Sequence, residues 1–305
     1  MRESIEKFPQ QFLWEPVIEN AENFRHRERV IVIGMGGSHL AADLVKAWKQ
    51  ELKLSLWSDY GLPHISDTER ENTLIIASSY SGNTEEVLDG YMMAQNLHIP
   101  LLAISTGGLL LDYARRDGIP YIQMLETNIQ PRMSLGFGAK AILKVLGEER
   151  ELEEIASLAT LLQFEAIERA GKELAEKLKN KIPIIYASAR NRAIAQIWKI
   201  KLNEGAKIPA FYNIFPELNH NEMIGFSAGD EALGLSKKFY FIILKDAEDN
   251  SLIARRMEIT KDVLVKNGHQ VEIVLMSKGT RFQTMFSSIF LADWVALYCA
   301  EMYHV

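Results

Sequence analysis

Short apolar runs alternate with stretches of helical periodicity along the whole chain. In the first half the runs fall near 30–33, 53–57, 73–77, 100–104 and 120–122, with helical patterns near 39–49, 84–96 and 109–116 between them. Consecutive apolar residues suit a strand covered on both faces. Their regular alternation with helices predicts an α/β fold, a parallel sheet between two helical layers. Residues 131–146 read as one more helix. The charged, amphipathic stretch 148–179 then reads as one or two long helices and divides the chain into domains 1–148 and 149–305.

The second half repeats the first. Residues 183–188, 239–244 and 271–275 are strands by the same pattern, with helices near 192–203, 251–266 and 283–303. Residues 30–40 align with 183–194, and 74–96 with 242–267, at offsets of about 150–170 residues. Such self-similarity predicts two copies of one α/β domain. The copies differ after their first strand. The first has Gly34-Met35-Gly36-Gly37-Ser38, and the second has Ala187-Ser188-Ala189-Arg190-Asn191.

The glycine loop runs from a strand into a helix, and so does a second polar loop, Ser78-Ser79-Tyr80-Ser81-Gly82-Asn83-Thr84. Helix starts offer unpaired backbone N–H groups and a positive dipole end, which suits an anion. Gly37 lets the backbone approach it, and Ser38, Ser79, Ser81 and Thr84 add hydroxyl donors. Two such devices in one α/β unit fit the phosphate of a small molecule, and the second copy should supply other groups to a shared cleft. Other glycine-loop classes fit less well. A dinucleotide fingerprint needs a third glycine where this chain has His39, and no Lys-Ser or Lys-Thr follows the glycines as in a P-loop. Thr84 or Ser81 also reads as the N-cap of the helix that starts with Glu85 and Glu86, which is compatible with anion binding.

Composition narrows the setting. The 305 residues leave room for two domains, and a net charge of -6 is the wrong sign for a broad nucleic-acid surface. Cys299 is the only cysteine, so a disulfide framework and a cysteine-rich metal site are excluded. Set in the apolar run 291–299, it reads as a buried, inert thiol. The first residues include Glu3, Glu6 and Lys7 rather than an apolar signal core, and no apolar run approaches the ~20 residues of a membrane span. These features predict a cytoplasmic protein with neither a membrane nor a nucleic acid as partner.

Gly36-Gly37-Ser38 after the first strand and Ser79-Tyr80-Ser81-Gly82-Asn83-Thr84 after a later one resemble the sugar isomerase (SIS) domain. Two such domains in tandem resemble the bifunctional phosphoglucose/phosphomannose isomerases of archaea and some bacteria. Pro131-Arg132, 202–207 and 217–222 are further matches, and the resemblance covers nearly the whole chain. It implies a flavodoxin-like, three-layer αβα fold in each half, with phosphate bound by Gly37, Ser38, Ser79, Ser81 and Thr84. It also implies isomerisation of glucose 6-phosphate or mannose 6-phosphate to fructose 6-phosphate, with no cofactor and no metal. That reaction moves a proton between adjacent carbons through a cis-enediolate. It needs a base, a ring-opening group and stabilisation of the oxyanion. The resemblance gives these roles to Glu204, His220 and Arg132 in turn.

In the family the histidine reaches the site across a dimer interface, which implies a homodimer with shared sites. The apolar segment 208–216, read as a loop, suits such an interface. Glu217 and Glu222 are expected to hold the His220 loop. One departure stands out. Family members usually continue with an Asp-Pro turn and a last helix that ends near an active-site lysine. This chain stops at Tyr303-His304-Val305 and has no lysine after Lys278. Lys201, Lys207 and His304 are the residues that could replace it. The departure favours an alternative, a non-catalytic or regulatory phosphosugar-binding protein; the presence of Glu204, His220 and Arg132 opposes it.

Overall fold

Five strands, all parallel, build the sheet of the unit Glu6–Leu161: β1 (Arg29–Ile33), β2 (Leu54–Trp57), β3 (Thr73–Ser78), β4 (Leu101–Ser105) and β5 (Tyr121–Gln123). Their order is β2-β1-β3-β4-β5. Every residue of β3 and β4 is buried, as expected for strands with helices on both faces. The helices that flank the sheet include α1 (Gly37–Trp48), α2 (Glu85–Asn96), α3 (Gly108–Asp117) and α4 (Leu135–Leu146). Ile31, Ile33, Ile75 and Ala77 pack on one face against Val87 and Tyr91 of α2 and Leu110 and Leu111 of α3. The period-two alternation of a strand aims Val30, Val32, Leu74 and Ile76 at the opposite face. There α1 packs on β1, β2 and α4.

The second unit joins Met1–Ile5 to Leu162–Val305. The structure describes residues 1–162, 164–226 and 234–305, as a computed structural model. Among the described residues this unit holds the parallel strands β6 (Ile182–Ser188), β7 (Phe211–Phe215), β8 (Phe239–Lys245) and β9 (Gln270–Leu275), in the order β7-β6-β8-β9. That is the order β2-β1-β3-β4 over again, so the sequence repeat is a repeat of topology. After α5 (Glu149–Ala156), which belongs to the first unit, the long helices among the described residues are α6 (Phe164–Lys177), α7 (Arg192–Gly205), α8 (Ser251–Lys266) and α9 (Arg281–Tyr303).

Four expectations need correction. The segment 208–216 is not a loop. It contains β7, an edge strand buried at Ile214 and Phe215 and exposed at Phe211. Pro209, Asn213 and Pro216 interrupt the pattern that marks a strand in sequence. The stretch 148–179 is broken into three pieces, α5, the single turn Leu158–Leu161, and α6. α7 runs to Gly205, so Glu204 lies in its last turn rather than after it. Finally, α9 is long and apolar enough to cross a membrane by length and composition. It serves instead as the unit's core helix, with 15 of its 23 residues buried, Phe286, Phe290 and Trp294 among them. It packs on α6 and α7, where each fully buried large side chain contributes roughly 1.5–3 kcal/mol. Cys299, on this helix, is fully buried, and burial pushes its thiol up to about 12.

Candidate active site

The chain leaves β1 toward β2 on one side of the first sheet and leaves β3 toward β4 and β5 on the other. The carboxyl ends of β1 and β3 therefore flank a topological switch point, where open α/β sheets form a crevice. Both sequence-predicted loops end there, one after each strand. Helices α1 and α2 start from them, so two helix N-termini meet at the crevice.

Ser38, half-buried, stitches the loops together. Its hydroxyl accepts a hydrogen bond from the backbone N–H of Tyr80 at 2.9 Å, and its carbonyl accepts one from the Ser78 hydroxyl at 3.1 Å. Gly36 has φ +51° and ψ -126°, a backbone that favours glycine. Gly37 opens α1 with no room for a side chain. A Cβ there would lie 2.6 Å from both Arg132 N and Pro131 C. The Pro131–Arg132 backbone, distant in sequence, is thus packed against the start of α1.

In the second loop Ser79 is 1% exposed. Its hydroxyl lies 2.8 Å from that of Thr84 and accepts the Gly82 N–H at 3.0 Å. Ser79 therefore braces the loop from within. Thr84 directs its hydroxyl to Ser79 and makes no capping bond to α2. Ser81 is exposed, and its hydroxyl accepts the Asn83 N–H at 3.2 Å.

A third loop, overlooked in the sequence, completes the arrangement. Thr106 donates its hydroxyl to the Tyr80 carbonyl at 2.8 Å, and the Leu109 N–H is accepted by Asn83 Oδ1 at 3.1 Å. Gly82, with φ +72°, has the Gly107 carbonyl where a Cβ would stand, and Gly108 has the Ser81 carbonyl in the same place. The signal was legible: β4 ends at Ser105 and is directly followed by Thr106-Gly107-Gly108, another strand that runs into glycines.

Glu204 and His220 belong to the second unit. Glu204 is exposed on the last turn of α7, beside Gly205, where a Cβ would lie 3.2 Å from Ala296 Cβ of α9. Asn203 closes the turn that follows by donating to the Ile208 carbonyl at 2.9 Å. The chain then forms β7 and reaches His220, exposed, whose N–H bonds the Glu217 carbonyl at 2.9 Å. Its neighbours brace the loop. Glu222 accepts the Tyr186 hydroxyl at 2.6 Å and the Asn213 amide; burial first, and that bond second, push the Tyr186 phenol up. Glu217 accepts from Asn221 at 2.8 Å, and Asn219 donates to Thr260 at 2.9 Å.

Of the residues weighed as lysine replacements, Lys201 is committed elsewhere. It is 1% exposed, with its ammonium 2.6 Å from Asp293 of α9. Lys207 and His304 are exposed, both with positive φ.

The fold matches solved structures across its length. The C-terminal domain of glucosamine-fructose-6-phosphate aminotransferase from Francisella tularensis aligns with a TM-score of 0.74 at 13% identity, over 99% of this chain and 95% of that one. Residues 167–305 match the family described as the bacterial phospho-glucose isomerase C-terminal SIS domain. Fold and crevice together define a tandem SIS-domain protein. The chain is 35% identical over 293 residues to the bifunctional phosphoglucose/phosphomannose isomerase of Caldicellulosiruptor bescii, covering 90% of this chain and 84% of that protein. It is 32% identical over 304 residues to the enzyme of the same name from Aquifex aeolicus, covering 98% and 91%. It belongs to the bifunctional phosphoglucose/phosphomannose isomerase family.

Proposed function

We propose that this protein is a cytoplasmic, homodimeric isomerase that interconverts glucose 6-phosphate or mannose 6-phosphate with fructose 6-phosphate through a cis-enediolate, without a cofactor. The observation that carries this reading is the switch-point crevice of the first sheet, with its three interlocked loops and Arg132 held against Gly37, in a chain of this family. The phosphate takes hydrogen bonds from backbone N–H groups at the starts of α1 and α2 and from the hydroxyls of Ser38, Ser81 and Thr84. Ser79 holds Thr84 and the loop in place. His220, from a neighbouring subunit, protonates the ring oxygen as the anomeric hydroxyl gives up its proton, which opens the ring. Glu204 takes the proton from the second carbon and returns it to the first. Arg132 stabilises the enediolate; a guanidinium stays charged throughout and exchanges no proton.

A coupled assay with each hexose 6-phosphate tests the activity. Glu204→Gln keeps the side-chain volume and removes the base. It is expected to leave substrate binding within about twofold and to slow exchange of the proton at the second carbon by ~10²–10⁴-fold, the usual worth of a general base. Solvent deuterium entering that position at the wild-type rate in the variant would assign the base elsewhere.

A further inference from the structure

The two sheets share a strand order, so their switch points can be compared loop by loop. In the second sheet this place lies between β6 and β8. Where the first unit presents hydroxyls and glycine N–H groups, the second presents charged side chains of its own. Ser188 ends β6, Arg190 and Asn191 follow it, Asp246 and Asp249 follow β8, and Arg281 opens α9. Asn191 is fully buried and Asp246 is 4% exposed. The Arg281 side chain is 9% exposed.

The bonds converge on Asp246. Its Oδ2 accepts from Arg281 Nη1 at 3.0 Å and from Asn191 Nδ2 at 3.3 Å, with Arg190 Nε at 3.7 Å. Its Oδ1 accepts the Glu248 N–H at 3.0 Å. Arg281 also donates to Asn191 Oδ1 at 2.8 Å and to the Arg190 carbonyl at 2.9 Å. A guanidinium, an amide and a backbone N–H around one carboxylate form the donor set that would hold a free oxyanion. Asp249 lies to one side, where it accepts the Asp246 N–H at 2.9 Å and an Asn191 amide hydrogen at 3.3 Å.

We propose that the second switch point is an anion site whose ligand is the chain's own Asp246 carboxylate, tethered where the first unit receives a free phosphate. The comparison with the first unit rests on the function proposed above. Removing the carboxylate turns the second crevice into a site for a small carboxylate or oxyanion. Two further facts agree. Burial first, and the Arg190 charge second, lower the Arg281 guanidinium to about 10, while the Asp246 and Asp249 carboxylates raise it. Arg281 Nε is buried without a hydrogen-bond partner, so the cluster retains an unused donor.

The test is chemical rescue, and it does not involve catalysis. Full-length wild type, Asp246→Ala and Asp246→Ala/Arg281→Met are melted in chloride and in formate at equal ionic strength. Formate is expected to raise the Tm of Asp246→Ala by about 2–4 °C more than that of wild type, as a ligand at several times its Kd would. The double variant should lose this gain. An equal formate effect in wild type and Asp246→Ala would overturn the proposal, and so would a gain that survives the loss of Arg281. If Asp246→Ala does not fold in chloride, refolding yield becomes the readout. Recovery in formate alone supports a tethered ligand, and no recovery in either salt overturns it. Since no step measures isomerase activity, the result stands apart from the fate of the functional reading.

Discussion

Alanine at Gly37 separates packing at the site from packing in the core. The added Cβ would lie 2.6 Å from Arg132 N and Pro131 C and 2.8 Å from Pro131 O. Carbon contacts settle near ~3.5–4.0 Å. The Pro131–Arg132 segment must therefore retreat by roughly 0.9 Å or more, and being backbone it cannot rotate aside as a side-chain tip could. Alanine in a helix ordinarily gains about 0.5–1 kcal/mol over glycine. Overpacking costs about 1–3 kcal/mol, so the clash wins by about 1 kcal/mol. In a unit of this size that lowers Tm by roughly 2–4 °C. The effect on chemistry should be far larger, because a misplacement of about 1 Å can cost ~10²-fold. Gly37→Ala is thus expected to lose ~10²-fold in kcat/KM while remaining folded. Gly36→Ala is the control. Its φ of +51° disfavours alanine, but a Cβ there meets nothing within 4 Å, so stability should fall with a smaller loss of rate. Calorimetric melts and steady-state kinetics with fructose 6-phosphate give both numbers. A Gly37→Ala enzyme within twofold of wild-type kcat/KM would refute the claim that Gly37 sets the position of a catalytic Arg132.

Other expectations follow from the same geometry. Ser79→Ala/Thr84→Ala removes the internal brace of the second loop together with a donor, and should weaken fructose 6-phosphate binding by ~1–3 kcal/mol in titration calorimetry; unchanged affinity would remove both residues from the phosphate site. Mixing inactive Glu204→Gln with inactive His220→Ala protein should restore up to about a quarter of wild-type activity per site, since random exchange makes half the molecules mixed dimers with one intact site. No recovery after proven subunit exchange would place His220 in its own subunit's site or outside catalysis. Cys299, its thiol raised to about 12 by burial, should resist iodoacetamide at pH 8 in the native protein and react on denaturation; rapid labelling of folded protein would contradict its placement in the core.

The strands that carry the site could be read directly from the chain. Helices cover both faces of β1, β3 and β6, so their residues are apolar without alternation, and such runs stand out. β7 did not, because an edge strand buries only part of its length and tolerates Pro209, Asn213 and Pro216 in and around it. Ser79 and Thr84 were recognisable as loop hydroxyls, yet their spacing does not reveal that the two hydroxyls face each other. Arg132 could be named from its resemblance to a family motif, but its packing against Gly37 joins residues far apart in the chain.

The sequence by itself determined the α/β class, the duplication, the two polar loops and their place at helix starts. Apolar periodicity and glycine-bearing turns are local properties, and local properties survive in a linear string. Tertiary structure decided which loops meet. Strand order is settled by how helices cover the sheet, and that order brings the loops after β1 and β3 together at one switch point and those after β6 and β8 at another. It also decided that Lys201 is spent on Asp293, that α9 is a core helix rather than a membrane span, and that Asp246, Asn191 and Arg281 close on one another. Each of these depends on burial and on partners distant along the chain, and only the folded chain brings them together.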